Sequence, residues 1–404
     1  MSSSSMAVRR IFVVGAGTMG HGVGEVAALR GFDVILYDVK QEFLDSAMSK
    51  MKWSLDRLAE RGSIRSSSEV LSRVSTTLDL ESGARQADFI LEAAPERIEI
   101  KRDIFSRLDR AARPGVVLAT NTSSLPVTEI SESVSESRRG AVVGMHFFNP
   151  PVIMQLVEVV RGKHTGDEAV RITYDLAMAL GKQPVAVNRD VPGFIVNRVM
   201  ARFLNTACML VEKGIHKMDE VDAAVRYGLG MPMGAFELSD YIGIDVLDDI
   251  IQAMRSRGFT MTPCELYGRS RAAGKLGVKS GEGFYPHPGS KFRKPQLDAS
   301  LAGRVDPVLL IAPAVNEAAY LLRDGIASRD DIDKAVRLGL NYPRGIFEYA
   351  DSYGLDAIAA ALRRLEDILG SREYEPDPLI IDMVGRGKLG VKSGEGFYQH
   401  AAGA

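Results

Sequence analysis

The sequence predicts an α/β domain, a parallel sheet wrapped by helices on both faces, followed by two all-α domains. Three observations predict it. Short apolar strands alternate with helical stretches up to about residue 189, the strand signal then fades, and the helical remainder repeats itself.

The elements follow in order. Arg10–Val14 is a short, largely β-branched apolar run, followed by a glycine turn and a helix through Leu29 that Gly31 closes. Asp33–Tyr37 is the next strand. Residues 41–80 are polar with a helical period and read as a helical hairpin inserted in the sheet domain. Residues 87–93, 116–120, 141–145 and Leu156–Val160 carry the later strands, so the first domain is expected over 8–189.

Beyond it, the segment Glu220 to Gly230 returns as Asp331 to Asn341, and the twelve residues from Gly274 to Tyr285 return unchanged from Gly387 to Tyr398. The register is nearly constant: Asp222 to Asp333 is 111 residues, and Gly274 to Gly387 is 113. Two copies of one helical domain are expected over 190–290 and 296–404, with the Pro/Gly/Lys-rich 286–295 stretch as linker.

At 404 residues, 46% hydrophobic and 25% charged, the chain has a globular composition too long for one core. A net charge of −2 excludes a global attraction to nucleic acid or an anionic membrane, while leaving room for a local basic pocket. Cys208 and Cys264 show no metal-ligand spacing, which points to a reducing compartment and no structural metal. Residues 1–6 are polar: a serine tail with Met6 as an alternative start, and no secretory signal. The longest charge-free run, 140–157, is interrupted by His146, Asn149, Pro150 and Pro151, so no membrane span and a cytoplasmic location are expected.

The turn after the first strand has glycines at three spaced positions, each with its own task. Gly15 permits the tight turn, Gly17 lets backbone approach a pyrophosphate, and Gly20 lets helix pack on strand. Thr18 and Met19 open a helix whose N–H groups and partial positive charge suit phosphate. Asp38 lies 18 residues beyond Gly20, at the end of the second strand, where a carboxylate hydrogen-bonds the adenosine ribose. This is the Rossmann pattern. The acid repels a 2′-phosphate, so NAD is expected over NADP despite nearby Lys40.

Hydride exchange with a carbinol carbon needs a base for the hydroxyl proton. Of six histidines, His146 is best placed, at a strand end on the edge where such folds bind ligands. Twelve residues on, Glu158 interrupts an apolar strand and needs a partner; a carboxylate on one imidazole nitrogen would set the tautomer. These features alone leave open a satisfied core histidine beside an unrelated edge-strand acid.

Four runs in this order, Asn121-Thr122-Ser123-Ser124-Leu125, His146-Phe147-Phe148-Asn149-Pro150, Pro192-Gly193-Phe194-Ile195-Val196-Asn197-Arg198 and Lys279-Ser280-Gly281-Glu282-Gly283-Phe284-Tyr285, cover nearly the whole chain. Together they resemble the L-3-hydroxyacyl-CoA dehydrogenase family. The resemblance implies a Rossmann domain followed by helical domains of the 6-phosphogluconate dehydrogenase C-terminal type. It implies His146 as general base, Glu158 as its orienting partner, Ser123 bonded to the substrate oxygen at C3, and Asn197 supporting the reacting substrate. The reaction would be NAD-dependent oxidation of a 3-hydroxyacyl-CoA to a 3-ketoacyl-CoA. Further cofactor contacts implied are Glu96, Lys101, Asn121, Ser123, Asn149 and Lys279, and coenzyme A contacts are Ser54 and Arg61 of the helical insertion. From the residues alone, Ser123 and Asn197 also suit helix caps, and Lys101 and Lys279 also suit a solvated surface.

The chain departs from the family in its doubled helical domain. The second copy has Val308 where Asn197 would align and lacks the Pro-Gly-Phe-Ile entry, so it should build no second active site. It could pack on the first copy as a partner subunit would, making the chain a monomer with an internal pseudo-dimer, the alternative being a homodimer. Relatives acting on free hydroxy acids of the gulonate or carnitine type share the His-Glu-Asn set, and a catalytically idle, crystallin-like NAD-binding protein is a third reading.

Overall fold

The computed structural model describes residues 8–401; the serine tail and Met6 lie outside them. The chain forms two compact units, 1–194 and 195–404.

The first unit is built on eight strands: β1 Arg10–Val14, β2 Asp33–Tyr37, β3 Val74–Thr77, β4 Phe89–Glu92, β5 Val117–Thr120, β6 Val142–Phe147, β7 Leu156–Val160 and β8 Gln183–Val187. Their order is β3-β2-β1-β4-β5-β6-β7-β8. Its helices are α1 Thr18–Leu29, α2 Gln41–Glu60, α3 Ser67–Leu71, α4 Leu80–Gln86, α5 Ile98–Ala111, α6 Val127–Ser131 and α7 Asp167–Ala179. Ile11 to Val14 are almost wholly buried, as central strands covered on both faces must be. All neighbours run parallel except β6 and β7. Residues 148–155 carry no helix and are too few for a crossover, so the chain reverses there. The expected parallel sheet is therefore mixed at this one junction, which is where the site forms. The insertion is also not wholly helical: after α2 and α3 it ends in the edge strand β3, whose Val74-Ser75-Thr76-Thr77 favours extended backbone.

Inside this unit α1 buries Glu25, whose carboxylate accepts the Ser54 hydroxyl of α2 at 2.5 Å. Burial pushes the Glu25 carboxyl up to about 7, against the smaller opposing pull of Ser54. A carboxyl whose pKa is raised by folding stabilises the fold fully below its unfolded value, and that contribution is lost as pH rises through the folded one. Glu25 is thus expected to cost on the order of 3 kcal/mol between about pH 5 and pH 8. Urea unfolding of Glu25→Gln across that range should show a flatter pH profile than the parent and higher stability at pH 8. Identical profiles would refute the assignment.

The second unit contains α8 Val196–Glu212, α9 Met218–Ala223, α10 Ala235–Ile242, α11 Ile244–Arg255 and α12 Glu265–Ala272. These are followed by α13 Pro307–Arg323, α14 Arg329–Leu340, α15 Ile346–Tyr353, α16 Leu355–Leu369 and α17 Pro378–Gly385. The repeated dodecapeptide has a physical purpose, since each copy is a clasp on two buried aspartates. Asp240 accepts the Phe284 and Tyr285 N–H groups, both at 2.8 Å, and His287 Nε2 lies 3.0 Å from it. The Tyr285 hydroxyl reaches Asp222 at 2.9 Å. In the second copy Asp351 takes Phe397 and Tyr398 N–H at 2.8 Å, His400 Nε2 lies 2.8 Å away, and the Tyr398 hydroxyl donates to Asp333 at 2.8 Å. A Cβ at Gly283 or Gly396 would collide with the aspartate it faces, so only glycine closes the clasp.

The corresponding first helices, α8 and α13, pack on each other. Glu317 of α13 sits buried between Arg198 at 2.6 Å and Arg202 at 3.0 Å, and Arg202 also reaches Glu373 at 2.6 Å. Two expectations change here. The 286–295 stretch is no free linker: His287 is fully buried in the first clasp, and Arg226 donates to the Pro295 carbonyl at 3.0 Å. The cysteines are not separate thiols either. Cys208 of α8 and Cys264, just before α12, form a disulfide across a sequence separation of 56, because α12 packs on α8. Linear spacing held no sign of that approach.

Candidate active site

The site forms where β1, β2, β4, β5 and β6 end on the same edge of the sheet. After β1, Gly15 has φ +105°, and a Cβ there would strike the Ala93 carbonyl. A Cβ at Gly20 would strike the carbonyl of Gly15, whereas one at Gly17 would meet nothing within 4 Å. Gly17 is the N-cap of α1, and no side chain caps that helix end. Asp38, half-buried just past β2, accepts the Ala16 N–H at 2.8 Å and the Val39 N–H at 2.7 Å, which places its carboxylate beside the turn. An uncapped helix start, open space over Gly17 and an adjacent carboxylate are the donor set and the room that a dinucleotide's phosphates and ribose require.

The antiparallel junction supplies the second half. His146 of β6 is registered directly opposite Glu158 of β7, so their side chains share one face. His146 Nδ1 lies 2.7 Å from Glu158 Oε2, and Nε2 lies 3.0 Å from Ser123 Oγ. Both members of the cross-strand pair are buried, and the rings of Phe148 and Phe194 lie 4.6 and 5.7 Å from the imidazole. A carboxylate at Nδ1 selects the tautomer with its hydrogen there, leaving Nε2 to accept a proton from a hydroxyl.

The loop that carries Ser123 is gathered around Glu96. One of its oxygens accepts the Thr122 hydroxyl at 2.6 Å, the Ser123 and Ser124 N–H groups at 2.9 Å, and the Ser124 hydroxyl at 3.1 Å. Enclosure raises the Glu96 pKa, but Lys101 and these donors outweigh it and hold the carboxyl below the usual range. Asn121 accepts the Phe147 N–H at 2.8 Å, tying the end of β5 to β6. Asn149 is exposed just beyond β6.

Other expected contacts are placed differently. Lys101 is not a surface lysine: it is fully buried, 2.6 Å from Glu92 and 3.4 Å from Glu96. Ser54 donates its hydroxyl to Glu25, while Arg61 stands exposed at the end of α2. Asn197 is buried in the first turn of α8. Lys279 pairs with Asp245 at 2.6 Å, and Lys392 pairs with Asp356 in the second copy, so the pair belongs to the repeated fold.

Glu92, Thr120 and Lys182 escaped the sequence reading. Glu92 closes the apolar run Phe89-Ile90-Leu91 and is fully buried, the same signal that singled out Glu158. Lys182 donates to the Pro151 and Met154 carbonyls at 2.5 and 2.8 Å, tying down the loop after His146; burial, aided by Arg30, pushes its pKa down to about 8. Among the described residues no cluster of His, Cys, Asp and Glu could hold a metal, and no helix is long and apolar enough to cross a membrane.

Comparison with known proteins identifies the family. A sequence model of the 3-hydroxyacyl-CoA dehydrogenase NAD-binding domain matches residues 10–191, and that of the corresponding C-terminal domain matches 193–287 and 309–400. A probable 3-hydroxybutyryl-CoA dehydrogenase of Deinococcus radiodurans is 41% identical over 68% of this chain and 99% of its own length. A 3-hydroxyadipyl-CoA dehydrogenase of Escherichia coli is 30% identical over 92% of this chain and 97% of its own. The crystal structure of an Escherichia coli 3-hydroxybutyryl-CoA dehydrogenase superimposes with a TM-score of 0.85 at 29% identity, covering 95% of this chain and all of that one. With both domain models matched across nearly its whole length, the chain belongs to the NAD-binding 3-hydroxyacyl-CoA dehydrogenase family.

Proposed function

We propose that the chain interconverts (S)-3-hydroxyacyl-CoA and 3-ketoacyl-CoA, and that Ser123, His146, Glu158 and Asn197 carry the reaction. The observation that supports this best is the Ser123–His146–Glu158 line, at 3.0 and 2.7 Å, on the sheet edge that also bears the uncapped start of α1. NAD, when bound, supplies the hydride acceptor. In oxidation the substrate hydroxyl gives its proton to His146 Nε2 as the C3–H electron pair departs and the carbonyl forms. Glu158 stabilises the imidazolium that results, and the Ser123 hydroxyl donates to the substrate oxygen where charge develops. Asn197 is assigned the support of the substrate carbonyl.

Asp38 is assigned the adenosine ribose, and Gly15, Gly17, Thr18, Met19 and Gly20 the pyrophosphate. Glu96, Asn121 and Asn149, at the ends of β4, β5 and β6, are proposed for the nicotinamide end. Like charges juxtaposed cost several kcal/mol, so NADPH should be disfavoured by Asp38. Acetoacetyl-CoA should therefore oxidise NADH with a kcat/KM at least about tenfold above that for NADPH, and Asp38→Ser should narrow the gap. Equal use of both cofactors by the parent would refute the role of Asp38.

Two relatives matched over nearly their whole length differ in the acyl part of their names, 3-hydroxyadipyl and 3-hydroxybutyryl. A substrate series from four to sixteen carbons, with dicarboxylic members, reads this chain's preference. We also propose that 190–290 and 296–404 are two copies of one domain, and that the second takes the place of a partner subunit, giving a monomer. Light scattering that found a dimer held through the second copies would overturn this. A cytoplasmic location completes the proposal, and electrophoresis of fresh lysate with and without reductant tells whether Cys208 and Cys264 are bonded there.

A further inference from the structure

Among the described residues of the first unit, Lys101 is the one lysine with a fully buried side chain, 1% exposed. Its ammonium has three N–H donors and three acceptors in reach: Glu92 Oε1 at 2.6 Å, the Ala94 carbonyl at 3.3 Å and Glu96 Oε2 at 3.4 Å. Glu92 is fully buried and is itself fixed, by the Ala94 N–H and the Thr120 hydroxyl, each at 2.6 Å. Two carboxylates thus share one buried cation, and both act where β5 ends. Glu92 joins β4 to β5 through Thr120, and Glu96 gathers residues 122–124 about its other oxygen.

We propose that Glu92 and Lys101 are positioning residues that, through Glu96, hold the Ser123 hydroxyl on His146 Nε2. This rests on the dehydrogenase reading above, and it removes Lys101 from the cofactor contacts that the family resemblance implied. The ammonium neutralises Glu96 on the side away from the loop, so that the carboxylate can stay charged and accept four donors at once. Without the cation, the two enclosed carboxylates of Glu92 and Glu96 repel each other, and the 122–124 loop loses its centre. A reacting group displaced by an ångström forfeits most of its effect on rate.

The test is a double-mutant cycle with Lys101→Met and Ser123→Ala, read by three measurements. These are kcat with acetoacetyl-CoA at saturating NADH, NADH affinity by cofactor fluorescence, and the His146 titration by NMR of histidine-labelled protein, assigned with His146→Gln. Lys101→Met should lower kcat roughly ten- to a hundredfold, leave NADH affinity within about twofold, and move the His146 titration as Ser123→Ala does. In the Ser123→Ala background Lys101→Met should cost less than about twofold more, because both act on one bond. NADH affinity lost about tenfold with kcat retained would make Lys101 a cofactor contact and overturn the proposal; so would additive losses or an unmoved titration. Should Lys101→Met not fold, Glu92→Gln/Lys101→Met removes both buried charges and replaces it in the cycle, with the same outcomes expected. If the parent turns over no 3-ketoacyl-CoA, the dehydrogenase reading fails, while the titration still decides whether Lys101 governs the Ser123–His146 bond.

Discussion

Replacing His146 with glutamine is expected to lower kcat for acetoacetyl-CoA reduction by about 10²–10⁴-fold, the usual worth of a positioned acid–base group. The carboxamide keeps much of the imidazole's size but cannot take or give a proton, so turnover falls while binding survives. NADH affinity should stay within about twofold, because the glycine turn and Asp38 stand on other strands. Circular dichroism and cofactor fluorescence on the same preparation separate lost chemistry from lost fold, since Glu158 is left buried without its imidazole partner. A variant that turned over at the parent rate would remove His146 from the mechanism.

Replacing Glu317 with alanine is expected to destabilise the helical unit by about 3–5 kcal/mol, the range for breaking one side of a buried ion pair. Burial raises the Glu317 pKa, but Arg198 and Arg202 outweigh it and hold the carboxyl below its usual range. A carboxyl lowered by folding stabilises above its unfolded pKa, and the contribution is lost as pH falls through the folded value. The parent should therefore lose this stability only in acid, and Glu317→Ala should lack it already at neutral pH. Urea unfolding at pH 7 and in mild acid reads both effects, and an unchanged midpoint at pH 7 would contradict the role. The consequence reaches α8, because Arg198 follows directly on Asn197 in its first turn.

How much was legible in the chain follows from the range of each interaction. The glycine turn was legible because its three constraints fall within six residues and depend only on backbone space. The His146–Glu158 pair was legible only in part: the chain showed a candidate base and an acid in need of a partner, the family resemblance joined them, and the antiparallel register then places them opposite each other. The same reasoning applied to Glu92 would have called for a buried cation, but nothing along the chain shows that α5 brings Lys101 beneath β4. Strands β3 and β8 were missed because one is short, polar and at the sheet edge, and the other contains Pro184, which argues against a strand in sequence. The repeated dodecapeptide was visible as a repeat, but its purpose was not. The aspartates it clasps lie 44–63 residues upstream in the first copy, beyond any local pattern. The Ser54–Glu25 bond was hidden for a related reason: the face that α2 turns to α1 is decided by where Glu25 is buried.

The central claim is that the acceptor for hydride is C3 of a coenzyme A thioester. It is tested most directly by following NADH loss with acetoacetyl-CoA and with free acetoacetate at equal concentration. We predict rapid oxidation with the thioester and a kcat/KM for the free acid lower by orders of magnitude. Comparable turnover of both, or turnover of the free acid alone, would contradict the account and place the enzyme among dehydrogenases of free hydroxy acids.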